Sequence, residues 1–170
     1  IVVIGIPLST GSSVLLIPNY LMMMKLHLTN HWYTLPLLYT AYNLPLVIWM
    51  LISGVRGLPY EIEEAARIDG CSQFYIITRI IPPVIRPSFA AAALFAFIGA
   101  WNEFITATVM VNGYALKNIQ MAIYDYIGFF GQEWGPLCGA ATLAIIPILL
   151  VFTFLGKQLV SGLTAGAVKG

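Results

Sequence analysis

Charged side chains are scarce in this sequence. Asp, Glu, Lys and Arg make up 9% of its 170 residues, against roughly 25% in an ordinary soluble domain. That excludes a conventional water-soluble globule. The net charge of +1 offers no electrostatic case for a nucleic-acid partner. Cysteine is nearly absent too: Cys71 stands in a polar segment and Cys138 in an apolar run, which argues against a disulfide. Histidine is limited to His27 and His31, spaced i, i+4 with no carboxylate near them in sequence, which argues against a metal site. No Ser/His/Asp or Cys/His arrangement supports hydrolysis within the chain. No signal peptide is visible, and Ile1 already lies in an apolar run. The expectation is a piece of a longer chain, for which the missing signal carries no weight.

Apolar runs are what the sequence has in abundance. Hydrophobic residues reach 59%, and the mean hydropathy is +0.87, values expected of a polytopic membrane protein. A spanning helix needs roughly 20 mostly apolar residues. Four stretches qualify, at about 1–24, 35–55, 88–111 and 137–160. Pro7 and Pro18 interrupt the first, Asn43 and Pro45 the second, and Pro147 the fourth. Proline is tolerated in such helices where neighbours or water satisfy the freed carbonyl. The expected fold is an all-α transmembrane helix bundle.

The few charges are gathered together. Of the fifteen (eight basic and seven acidic), eight lie from Arg56 to Arg86, within a segment at about 56–87. With four spans, that segment shares a side with the tail. Arg56, Arg67, Arg79, Arg86, Lys157 and Lys169 then oppose only Lys25 and Lys117. By the positive-inside rule this side is cytoplasmic. Trp32, Tyr33, Trp134 and the outer tyrosines suit an aromatic belt on the opposite side.

Within the segment, "LPYEIEEAARIDG" reads as a short helix with defined ends. Pro59 suits the first turn. Glu61, Glu63 and Glu64 complement the positive end of the helix dipole, and Arg67 the negative end. Gly70 is a natural C′ residue with positive φ, and Ser72 can cap a second helix through "QFYIITRII". That helix is expected to stop near Pro82 and Pro83. Ala65 and Ala66 offer a flat patch. Phe74, Ile76, Ile77 and Ile80 can pack on a partner or on the chain's own spans.

The order of these residues resembles the EAA loop of permease subunits of bacterial ABC importers: Glu-Ala-Ala, three residues, Gly, nine residues, Ile, one residue, Leu-Pro. It falls here on Glu64, Ala65, Ala66, Gly70, Ile80 and Pro83, with Pro82 where the family usually has Leu. The tail "GLTAGAVKG", the stretch "IGAWNEF" and "LPLVIWMLISGVRGLPYEIEEAARIDG" narrow the resemblance to the maltose-type second permease of carbohydrate importers. Members usually have six spans, so the chain would hold the last four.

The resemblance implies a type I permease fold in a bacterial or archaeal inner membrane. It implies a second permease, two cytoplasmic ATPase subunits that bind ATP and Mg, and an extracytoplasmic solute-binding protein that delivers the sugar. ATP must be split elsewhere, because the chain has no G-x-x-x-x-G-K-[ST] loop and "FLGKQL" supplies only a Gly-Lys pair. Glu64, Ala65, Ala66, Asp69, Gly70, Phe74, Ile80 and Pro83 become the ATPase-coupling candidates. Thr164, Ala165, Gly166 and Lys169 in the tail are a second candidate contact, against a frayed terminus. The outer aromatics Tyr114, Tyr124, Tyr126, Phe129, Phe130 and Trp134 either meet the binding protein or anchor the interface. Glu103 is the only acidic residue inside an expected span, and an ionisable group there is a functional candidate. With Asn43, Trp101 and Asn102 it either lines the pathway or bonds within the bundle. Other cargo (glycerol phosphate, a peptide or an amino acid) and an ATP-independent secondary transporter stay open as alternatives.

Overall fold

A computed structural model describes residues 15–128, 131–132 and 134–167, with 128, 131–132 and 157–167 as backbone only. The elements in chain order are α1 (Leu16–Lys25), α2 (Thr34–Arg56), α3 (Tyr60–Ile68), α4 (Gln73–Val84), α5 (Arg86–Trp101), α6 (Ile105–Met110), a 3-10 turn (Tyr114–Leu116), α7 (Ile119–Tyr124) and α8 (Trp134–Ala167). A two-residue antiparallel hairpin, β1 (Ile127–Gly128) and β2 (Gly131–Gln132), precedes α8. The fold is therefore all-α in substance, as the composition implied. The chain divides into two compact units, one of residues 1–45 and 96–150, the other of 46–95 and 151–170.

Among the described residues, two helices are long and apolar enough to cross a membrane, Thr34–Arg56 and Trp134–Gly156, or three if the bent pair Gln73–Val84 and Arg86–Trp101 is one span. The two long helices overlap the stretches expected at 35–55 and 137–160. The expected span at 1–24 falls largely outside the described residues, which hold only its last part as α1. The stretch at 88–111 differs from a single helix. It forms α5, stops at Trp101, and restarts as α6 at Ile105. Glu103 ends the run, because its carboxylate takes up backbone N–H groups that a continuous helix would have paired internally.

In the first unit, α1 ends in a left-handed turn. Leu28 N–H donates to Met23 O at 2.9 Å and His27 N–H to Met24 O at 3.1 Å, the paired bonds of a Schellman cap. His27 holds the positive-φ position at 55°. Asn30, also left-handed at 58°, donates its N–H to Met110 O at 3.0 Å and accepts from Asn112 N–H at 2.8 Å. The α1–α2 turn is thus pinned to the end of α6. Beneath it lies an apolar core of Met23, Leu35, Leu38, Ala107, Met110, Val111 and Met121. Thr34 is fully buried there. Its hydroxyl donates to Leu28 O at 2.5 Å and accepts from His31 N–H at 3.0 Å.

In the second unit, the lower half of α2 packs on the start of α5 through Gly54. A Cβ at Gly54 would stand 2.6 Å from Ser88 Cβ, so only glycine lets the two backbones approach this closely. Small residues play the same part in many membrane helix pairs. Ile76, Ile85, Ala90, Ala92 and Leu94 are buried in this unit.

Candidate functional site: the helix-turn-helix of the charged segment

The charged segment forms α3, a short turn and α4, all within the second unit. Pro59 precedes α3 in extended backbone, with Glu61 and Glu63 in the first turn and Arg67 in the last. The helix closes on a Schellman cap. Gly70 N–H donates to Arg67 O at 3.0 Å and Cys71 N–H to Ala66 O at 3.0 Å, while Gly70 takes φ +77°. Nothing lies within 4 Å of where a Cβ on Gly70 would be. Glycine is needed here for its backbone angle, not for space.

Side chains reinforce the turn. Arg67 Nη2 donates to Glu63 Oε1 at 2.6 Å and to Gln73 Oε1 at 3.1 Å, tying the end of α3 to the start of α4. Ser72 Oγ accepts from Tyr75 N–H at 3.3 Å, the cap the sequence suggested. The second helix takes in both prolines and ends at Val84, close to where they were expected to stop it. A π turn at Ile76–Ile80 leads into Ile81–Val84, whose first turn holds Pro82. The wide turn restarts the α register just before the prolines, so Pro82 falls where no N–H is required. The chain then bends by 75° between Gln73–Val84 and α5.

The coupling candidates divide by exposure. Glu64, Ala65, Asp69, Gly70, Phe74 and Pro83 are exposed, Ile80 is half-buried, and Ala66 is buried. Of the expected alanine patch, only Ala65 is open to a partner. Phe74 is 77% exposed and Ile68, which the sequence reading passed over, is 85% exposed. Two bare apolar side chains thus flank the turn of a charged element. Ile68 was legible only once the helix phase was known, because "ARIDG" by itself does not say which way the isoleucine faces.

The pathway candidates belong to the first unit. Glu103 accepts from Thr106 N–H at 3.0 Å, Thr106 Oγ1 at 2.8 Å and Ala107 N–H at 3.2 Å. It caps α6. Trp101 stacks on Phe97 at 5.3 Å and donates Nε1–H to Ala144 O on α8 at 3.2 Å. Asn43 donates to Tyr39 O at 2.8 Å, and its Oδ1 lies 3.0 Å from the place of a Cβ on Gly99. Asn102 alone of the four is exposed. Asn118 escaped the sequence reading. Its Nδ2 donates to Glu103 O at 2.6 Å and reaches the Tyr39 hydroxyl at 3.3 Å, while its Oδ1 caps α7 through Met121 N–H at 3.0 Å. An asparagine ahead of an apolar run was the available signal.

Glu103 is therefore expected to act on stability. Glu103→Ala should lower it by about 1–2 kcal/mol, as loss of a cap does, and Glu103→Gln by less. Thermal unfolding in detergent checks this. An altered substrate KM with unchanged stability would favour the pathway reading.

Among the outer aromatics, Tyr114, Tyr124, Tyr126 and Trp134 are exposed, whereas Phe129 and Phe130 lie outside the described residues. Lys117 sits 4.5 Å above the Tyr114 ring and bonds Asp125 at 2.8 Å. No metal-binding group of three His, Cys, Asp or Glu occurs among the described residues. The α8 backbone continues to Ala167. The side chains of Thr164, Ala165 and Gly166, and all of Lys169, lie outside what is described.

Residues 1–164 match the family described as binding-protein-dependent transport system inner membrane component. The chain belongs to this family. A putative ABC transporter permease of Streptomyces antibioticus is 37% identical over 91% of the chain and 68% of its own length. The sulfoquinovosyl glycerol transport system permease of Agrobacterium fabrum is 35% identical over 92% of the chain and 55% of its own length. The trehalose/maltose transport system permease of Thermococcus litoralis is 37% identical over 86% of the chain and 53% of its own length. The chain spans about a third to two thirds of the length of the curated relatives it matches. The resemblance read from Glu64, Ala65, Ala66 and Gly70 is borne out at the family level, as is a location in the membrane.

Proposed function

We propose that this chain is the carbohydrate-importing permease subunit of an ATP-driven ABC transporter and forms half of its translocation pathway. The observation that carries the reading is the exposed, doubly capped helix-turn-helix of α3 and α4 in an otherwise apolar chain. Its turn is fixed by Gly70 and Arg67, and its apolar Ile68 and Phe74 are exposed. A rigid element with bare apolar side chains suits a socket in a separate protein. In this reading that protein is a cytoplasmic ATPase. The segment and the C-terminus then face the cytoplasm, and the remaining partners are a second permease and an extracytoplasmic solute-binding protein. Sugar cargo rests on the relatives, whose names specify sulfoquinovosyl glycerol, diacetylchitobiose and trehalose or maltose. Closure of the ATPase pair would move the permeases as rigid bodies.

The test is sugar uptake into proteoliposomes holding the assembled transporter. Uptake should require ATP and the binding protein, and should survive collapse of ion gradients. Uptake driven by an ion gradient without ATP would make the chain a secondary transporter instead.

A further inference from the structure

We propose that Asn118 and Gln120 are positioning residues for transport: their amide groups join the segment 117–125 to the break between α5 and α6, so that the two move as one when a solute-binding protein engages. This rests on the proposed function, which supplies the binding protein and places that segment on its side of the membrane.

A break in an apolar helix frees backbone groups that lipid cannot satisfy. Here the break falls at 102–104. The Glu103 carboxylate takes up the N–H groups of Thr106 and Ala107. The carbonyls are met from α7 instead. Gln120 Nε2–H donates to Trp101 O at 3.2 Å, and Asn118 Nδ2–H to Glu103 O at 2.6 Å. In transporters built on broken helices, such carbonyls commonly hold a cation. In this chain two amide side chains take that place.

Neither donation is needed to form α7 itself. The Asn118 Oδ1 atom already caps that helix through Met121 N–H at 3.0 Å, which leaves Nδ2 for the break. Gln120 bonds a carbonyl 19 positions back in the chain. The segment they belong to is closed on itself, because Lys117 Nζ bonds Asp125 at 2.8 Å. Met121 anchors it in the apolar core.

One small element thus holds three others. Its amides reach the end of α5 and the start of α6, the Tyr124 ring packs on Phe104 at 5.0 Å, and Asn118 Nδ2 lies 3.3 Å from the Tyr39 hydroxyl on α2. Trp101 carries the connection on to α8 through Ala144 O. Hydrogen bonds weaken steeply with misalignment, so the amide ties fix orientation as well as distance. The rest of the segment's surface is open, with Tyr114, Tyr124 and Tyr126 exposed. The family's transport is binding-protein-dependent, and in the proposed orientation this surface faces the side from which that protein arrives. A push on it reaches the spanning helices through Asn118 and Gln120.

The experiment uses the whole transporter in nanodiscs with its solute-binding protein and follows ATP hydrolysis against binding-protein concentration. The variant is Asn118→Ser with Gln120→Met. Serine keeps a cap on α7 and methionine keeps the side-chain length, but neither brings a donor to the break. Maximal stimulation by the binding protein should fall about fivefold or more, the lower end of the usual coupling between separate sites. The half-saturating concentration should stay near that of the wild type. Full stimulation in the variant would overturn the proposal. A raised half-saturating concentration with the maximum intact would overturn it too, since the amides would then only shape a contact surface. If thermal unfolding shows that the double variant does not fold, Gln120→Met alone is read in the same way, with a smaller fall expected and full stimulation again overturning the proposal. A wild-type transporter that ignores the binding protein would overturn the proposed function, and this inference with it. A wild type and a variant that respond equally would overturn only the role of the two amides.

Discussion

Gly70→Val is expected to cut ATP-dependent uptake by at least tenfold, with Gly70→Ala weaker and Gly70→Asn weaker still. The ranking comes from the backbone. Gly70 sits at φ +77° with open space around it, so a side chain meets no clash. It meets torsional strain of about 1–3 kcal/mol. The strain is greatest for a β-branched residue and least for asparagine, which enters the left-handed region readily. Relieving it means opening the bonds from Gly70 and Cys71 to Arg67 and Ala66, which lets α3 swing relative to α4. The measurement is uptake alongside co-purification of the ATPase subunit. Bulk would rank the three by size, placing asparagine below alanine. If that order appears, Gly70 is a contact residue and not a turn residue.

The second large effect concerns the two bare apolar side chains. Ile68→Glu with Phe74→Glu should leave the chain folded while weakening ATPase binding by about thirtyfold or more. Ile68 is 85% and Phe74 77% exposed, so the chain itself loses little on their replacement, typically within about 0.5 kcal/mol per surface site. A desolvated anchor at an interface is worth about 2 kcal/mol or more, which corresponds to roughly thirtyfold in Kd. Titration of the ATPase subunit onto reconstituted permease reads the change, with thermal unfolding as the folding control. Undiminished binding at unchanged stability would remove α3 and α4 from the docking surface.

Much of this was legible in the sequence, and the boundary follows physical lines. The α3 ends were readable because caps are local: Pro59, the early glutamates, Arg67, Gly70 and Ser72 each act within a turn of their own position. The spans at α2 and α8 were readable because length and apolarity suffice. Glu103 was not, because the same carboxylate serves as a pathway group or as a cap according to where Thr106 and Ala107 place their N–H groups. The burial of Ala66 and the exposure of Ile68 were illegible for a related reason. Neighbours on a helix point in different directions, and composition does not supply the phase. Asn118 needed the tertiary fold, since Tyr39 stands 79 positions away. His27 looked like half of an i, i+4 pair. Its left-handed backbone at the end of α1 shows that it serves the turn.

The π turn at Ile76–Ile80 works as an angular offset built into α4. Each α-helical residue advances the chain by about 100°, so the extra residue in a wide turn rotates everything downstream by nearly that much. The half of α4 bearing Phe74 and the half entering the bend at Ile85 can therefore answer to different neighbours at once. Removing a single residue there would keep the composition and the hydropathy intact, yet leave one end of the lever aimed at the wrong surroundings.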